Sequence, residues 1–127
     1  MDIYSCSNID DFIAKFATTL VNSPPTESIS KKFLNAIRGV HPAVVFDPLS
    51  GTPEISFTYH AQSQKQDTLK SIFDFLSSLD KPAIIAIDEF QQIRNFPEQN
   101  MEALLRSLEG KRYSVYNVFL SRWLERN

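Results

Sequence analysis

The sequence is poor in the residues that would mark an exported or membrane-embedded protein. A single cysteine, Cys6, excludes an internal disulfide framework and points to a reducing, cytoplasmic setting. No apolar run approaches the roughly 20 residues of a membrane span, and Met1-Asp2-Ile3-Tyr4 has neither the basic region nor the apolar core of a secretion signal. Glycine is scarce, with 3 in 127 residues. No two of Gly39, Gly51 and Gly110 lie five apart, so the G-x-x-x-x-G-K-[ST] loop that cradles phosphates is absent. Excess charge of one sign is also missing: 13 Lys and Arg against 15 Asp and Glu leave a net charge of -2. There is no global basic field to hold nucleic acid.

What is present suffices for one ordinary domain. Apolar residues make up 43% of the chain, enough for a core that needs neither disulfide nor metal. Ile9, Phe12, Ile13, Phe16, Ala17 and Leu20 recur at helical spacing behind a cap at Ser7 or Asn8, with Asp10 and Asp11 in the first turn. A short strand precedes this helix at 3–6. A second helix is expected over 28–37, closed by Gly39 in the left-handed conformation. The β-branched and aromatic runs 43–46 and 55–59, separated by the turn formers Asp47-Pro48-Leu49-Ser50-Gly51-Thr52-Pro53, read as a hairpin. A polar link, 61–66, should lead to a third helix capped by Asp67 or Thr68. Another helix is expected to start at Pro97, with Glu98 in its first turn, and the tail offers a strand at 113–116 and a last helix through Trp123.

The one string that carries chemistry is Ala83-Ile84-Ile85-Ala86-Ile87-Asp88-Glu89. A continuous apolar run suits a strand covered on both faces in a parallel sheet, and its carboxyl end delivers two adjacent acids. That is the pattern of a Walker B strand. An Asp there can order the hydration shell of Mg²⁺ on nucleotide phosphates, and the following Glu can polarise a water for in-line attack. The bland alternative is a buried strand ending in two solvated acids.

These residues also resemble a known family, the archaeal-type ATPases of the AAA+/STAND P-loop group. The likeness runs from Lys81-Pro82 through Asp88-Glu89-Phe90-Gln91 and Phe96-Pro97-Glu98 to Leu104-Leu105-Arg106. The stretch 46–51 is similar to a hairpin that some members insert, and 113–124 to the end of their winged-helix module. The resemblance implies an α/β fold: a remnant of the three-layer P-loop NTPase sheet, with helices on both faces and an inserted β-hairpin. It divides the chain into a partial ATPase domain without Walker A over 1–109 and a winged-helix remnant over 110–127. The family's first strand and Walker A loop would precede Met1, and an internal deletion would join the Walker B region to the tail. Asp88 is then the residue that binds Mg²⁺ through water and, with it, ATP, and Glu89 is the catalytic base. Arg106 as a finger and Gln91 as a water-orienting residue are weaker assignments; a solvated helix-end Arg and a surface turn are the simpler accounts.

Three function classes follow from these residues. The first is an ATPase relative, binding Mg-ATP if its site is completed and not expected to turn over as an isolated chain. The second is a non-catalytic protein-binding or oligomerisation module derived from one. The third is a small metal-dependent phosphohydrolase, which needs further carboxylates or histidines near Asp88. Loss of the P-loop and sensor strands would leave the 83–87 strand with one or both edges open, to be covered either by repacking of the tail strand 113–116 and the hairpin or by self-association or a protein partner. His41, His60 and Cys6 lack metal-ligand spacing and no nucleophile elbow is present; for the basic, aromatic tail (Arg112, Arg122, Trp123) the resemblance implies a winged-helix module whose recognition helix is deleted, which argues against DNA binding.

Overall fold

The computed structural model describes residues 1–22, 26–79, 83–98, 100–108 and 113–117. Its first helix, α1 (Ile9–Val21), begins where the sequence placed it. Asn8 is in extended conformation and its Oδ1 accepts the Asp11 N–H at 2.9 Å, while Asp11 Oδ2 accepts the Ser7 N–H at 2.9 Å. Together they close the start of the helix much as a capping box does, except that Asp11, at the third helical position, takes the N–H of Ser7 before the cap rather than that of Asn8. The face read from the spacing is the buried one: Ile9, Phe12, Ile13, Phe16 and Ala17 are in the core, and Leu20 packs against it. Helix α2 (Thr26–Ala36) follows, with Phe33 buried.

Gly39 does not close α2 in the left-handed conformation. It lies inside a 3₁₀ turn, Arg38–Val40, and the left-handed residue is His41, at φ 54°. The hairpin is formed by β1 (Ala43–Phe46) and β2 (Pro53–Ser56), antiparallel, with Val44 opposite Ile55 and Phe46 opposite Pro53. Gly51 holds the tight turn at φ 70°, and Asp47 Oδ1 accepts the Leu49 N–H at 2.8 Å. The second strand thus begins two residues before the expected one and stops at Ser56. Phe57 and Tyr59 leave it and stack on each other, 6.3 Å between ring centroids.

Helix α1 seals the outer edge of β2. Thr18 Oγ1 accepts the Ile55 N–H at 2.9 Å and lies 3.5 Å from the Ile55 carbonyl, to which it donates. Asn22 Nδ2 donates to the Pro53 carbonyl at 3.0 Å. The third helix, α3 (Gln62–Ser77), starts ahead of Asp67 and Thr68, so the expected polar link is its first turn. Ala61 cannot cap with its side chain. Gln64 instead reaches back to accept the His60 N–H at 2.6 Å, and Lys65 pairs with Asp10 of α1 at 2.8 Å. Thr68, read as a cap, is buried in mid-helix and donates to the Gln64 carbonyl at 2.8 Å.

Strand β3 (Ala83–Ile87) pairs in parallel with β4 (Tyr113–Asn117), which agrees with the strand read in the tail. On its other edge runs the start of the chain. Met1 N donates to the Ala86 carbonyl at 2.9 Å, Asp88 N to the Met1 carbonyl at 2.7 Å, and Ile3 N to the Asp88 carbonyl at 3.1 Å. The strand expected at 3–6 is therefore a parallel bridge at Asp2, followed by a turn. Peptide groups alternate along a strand, so 86 and 88 face Met1–Ile3 and the intervening residues face β4. One edge of the strand is thus paired along its length by β4, and the other is covered over residues 86–88 by Met1–Ile3. Two-sided burial is not what its side chains have: Ile85 and Ile87 are buried, but Ala86 between them is exposed.

After β3 a 3₁₀ segment, Phe90–Asn95, anchors itself through buried Ile93 and leads to α4 (Met101–Leu108). This helix starts four residues after Pro97, behind Asn100 at φ 65°. Glu98 is not in its first turn. Its Oε2 accepts the Ile9 N–H at 3.2 Å, capping α1 from the far half of the chain with an acid at the positive end of the helix dipole. One core joins these parts through ring contacts: Phe12 with Phe16 and Phe96, Phe16 with Phe73, and Phe33 with Phe75. The mixture of helix and strand agrees with an α/β protein at that coarse level, although among the described residues the hairpin and the parallel pair are separate sheets. None of the described helices is long and apolar enough to cross a membrane. The helix expected over 118–124, and with it most of the 110–127 segment, lies outside the described residues.

Candidate functional site

Asp88 and Glu89 stand at the carboxyl end of β3, both half-buried. The Asp88 backbone is held by Met1 and Ile3, so its carboxylate projects from a strand end with a parallel neighbour on each side. Asp88 Oδ1 accepts the Glu89 N–H at 2.9 Å. That bond turns the chain sharply: Glu89 is left-handed, at φ 61° and ψ 40°, and its carbonyl accepts the Gln92 N–H at 2.9 Å. For a residue with a Cβ this conformation costs on the order of 1–2 kcal/mol. Such strain is kept where surrounding contacts over-determine it, and it gathers at functional sites.

Gln91 is the site residue that the fold brings to the pair. Its Nε2 donates to Glu89 Oε2, and its Oε1 is buried with no hydrogen-bond partner among the described residues. Gln92 turns the other way and donates to the Cys6 carbonyl at 3.0 Å. Arg106 is not brought in. It is exposed in the last turn of α4, and no hydrogen bond or ion pair joins it to either acid among the described residues. The neighbouring Arg94 is occupied by Glu102 at 3.1 Å. No cluster of three or more His, Cys, Asp or Glu side chains forms among the described residues, so there the acidic pair gains none of the extra carboxylates or histidines that a phosphohydrolase centre needs. What the pair can do chemically is present carboxylate oxygens to the water shell of a divalent cation, with Glu89 oriented by an amide donor.

Other chemistry-bearing groups lie elsewhere. The Cys6 thiol is pushed above its ordinary range, first by burial and then by the Asp11 carboxylate, which makes it a poor nucleophile. His41 and His60, which their spacing set apart, line one pocket of about 380 Å³ with Tyr59, Gln64 and Asp67. That convergence depends on the 3₁₀ turn after α2 and the early start of α3, neither of which has a side-chain signal at the histidines themselves. Burial, then Asp10, raises the Tyr59 hydroxyl above its usual range, and this hydroxyl has no hydrogen-bond partner among the described residues. Comparison with family models, with curated proteins and with solved structures returned no match.

Proposed function

We propose that Asp88 and Glu89 are the metal-nucleotide end of an ATPase-type site, in a chain that does not hydrolyse ATP by itself. The observation that carries this reading is the position of the pair, adjacent at the carboxyl end of a strand with parallel neighbours on both edges, where open α/β sheets bind their ligands. Asp88 would hold Mg²⁺ through water, Glu89 would act on an attacking water, and Gln91 would keep the Glu89 carboxylate in place. Bound Mg²⁺ supplies positive charge to the phosphate oxygens. The sequence holds no loop to cradle those phosphates, which is why turnover is assigned to a completed site rather than to this chain alone. The descent that fits is a shortened three-layer P-loop ATPase working in the cytoplasm.

Thermal unfolding with and without millimolar Mg-ATP tests the reading. Ligand at a hundredfold excess over its Kd stabilises the folded state by about 2.7 kcal/mol. The expected result is a midpoint that rises with Mg-ATP and stays put in Asp88→Ala. A cooperative transition indifferent to nucleotide would remove the nucleotide reading. A second reading, a non-catalytic binding or oligomerisation module, is favoured by one observation: Val44, Val45, Phe46 and Leu49 of the hairpin are all exposed.

A further inference from the structure

Residues of β1 face solvent on both sides of the hairpin, at 42% for Val44, 57% for Val45 and 63% for Phe46. An edge strand is normally guarded by a charge, a bulge or an internal proline, and Ala43-Val44-Val45-Phe46 has none of these. The other strand of the hairpin is guarded, because Thr18 and Asn22 take up the outward groups of Ile55 and Pro53. The Asp47 N–H bonds the Thr52 carbonyl at 2.9 Å, and hydrogen-bonded pairs alternate along an antiparallel ladder. The inward pairs are therefore Asp47 with Thr52 and Val45 with Glu54. The N–H and C=O groups of Val44 and Phe46 point outward, and no partner for them occurs among the described residues.

We infer that β1 pairs antiparallel with β1 of a second copy of this chain across a two-fold axis at Val45. The inference rests on the module reading above and not on the acidic pair. Three features of the strand select a second copy as the occupant. First, Pro42 and Pro48 bracket the window, so slipping the register by two residues in either direction sets a residue without an N–H against an outward-facing one. Only the register centred on Val45 lets Val44 exchange both bonds with Phe46 of the other copy, and Phe46 with its Val44. Second, that register places Val44, Phe46 and their counterparts on one face, beside Ile55, and sets Val45 against Val45 on the other. Third, the acids nearest the seam do not meet, since Asp47 falls opposite Ala43 of the other copy; like charges directly opposite would oppose pairing. The contact is short compared with the roughly 1,200–2,000 Å² of a standard interface, so the dimer is a reversible one that forms with rising concentration.

Sedimentation velocity of the full chain across the micromolar to millimolar range, combined with cysteine cross-linking, tests the pairing. In the Val45 register the two Val45 residues form a non-hydrogen-bonded pair with Cα atoms about 4.5 Å apart, inside the Cα range of a disulfide. Val45→Cys should cross-link on oxidation and Val44→Cys should not, with buried Cys6 silent in both. Val44→Pro removes one outward N–H and leaves the ladder to β2 untouched, so it should abolish the dimer while keeping the thermal midpoint of the dilute protein. A chain monomeric at every concentration overturns both the pairing and self-association as a function. A dimer that survives Val44→Pro, or cross-links equally through Val44→Cys, overturns the pairing and leaves association through another face.

Discussion

Glu89 offers a way to weigh the bend at the candidate site separately from its carboxylate. Glu89→Ala and Glu89→Gly both delete the side chain that Gln91 holds, so their difference reports the backbone alone. At φ 61° alanine retains the left-handed penalty and glycine does not. Glycine gives back part of the gain through its freer unfolded chain, and the net advantage over alanine should be about 1 kcal/mol. For a domain of this size that corresponds to roughly 3–6 °C in Tm. The control is Lys70, exposed in the interior of α3, where ordinary helix propensity makes Ala better than Gly by about 1 kcal/mol. Thermal unfolding followed by circular dichroism, repeated in urea, measures both pairs. The sign must reverse between the two positions. If Glu89→Ala is as stable as Glu89→Gly while the Lys70 pair behaves normally, residue 89 is not held left-handed and the account of the turn after β3 is wrong.

Two further outcomes follow from the hydrogen bonds. Thr18→Val keeps the shape of the side chain but leaves the Ile55 N–H without its acceptor, and should cost about 1–2 kcal/mol in urea unfolding, whereas Thr18→Ser should retain most of that stability. Tyr59→Phe removes a buried hydroxyl that has no partner among the described residues, so stability at neutral pH should hold or rise. The same variant tests a pH effect: the buried hydroxyl holds its proton above the ordinary value of 10.0, so below that pH ionisation costs the fold nothing, and as pH climbs from there toward the folded-state value stability is progressively lost. The alkaline fall in the wild-type unfolding midpoint above pH 10.0 should therefore flatten in Tyr59→Phe.

Local patterns were readable where one helix or strand carries its own signal. The α1 stripe from Ile9 to Ala17 and its Asn8 cap depend on neighbours within a few residues, and so does the Asp47-to-Gly51 turn. The adjacency of Asp88 and Glu89 at a strand end is likewise a property of one short string. Signals failed where a side chain is used at a distance. Glu98 reads as the first turn of its own helix because nothing nearby shows that it is taken by Ile9. Gly39 looks like a left-handed closer, but the turn runs one residue further as a 3₁₀ helix and His41 adopts the conformation instead. The cover that residues 1–3 give to β3 was hidden for the same reason, since they are far from it in sequence, whereas the tail strand that pairs with its other edge carries its own β-branched and aromatic signal.

The Glu98 cap has a consequence for the order in which the molecule assembles. Its bond to Ile9 spans 89 positions, and the Gln92 bond to Cys6 spans 86. Closing so long a loop costs little more in equilibrium entropy than closing one half its length, about 0.6 kcal/mol, but non-local contacts of this kind are slow to be found. Helix α1 can start from Asn8 and Asp11 alone, and receives its last donor-acceptor match only when the chain beyond β3 returns to it. Folding should thus finish, and unfolding begin, at the seam where both ends of the described chain meet the acidic pair.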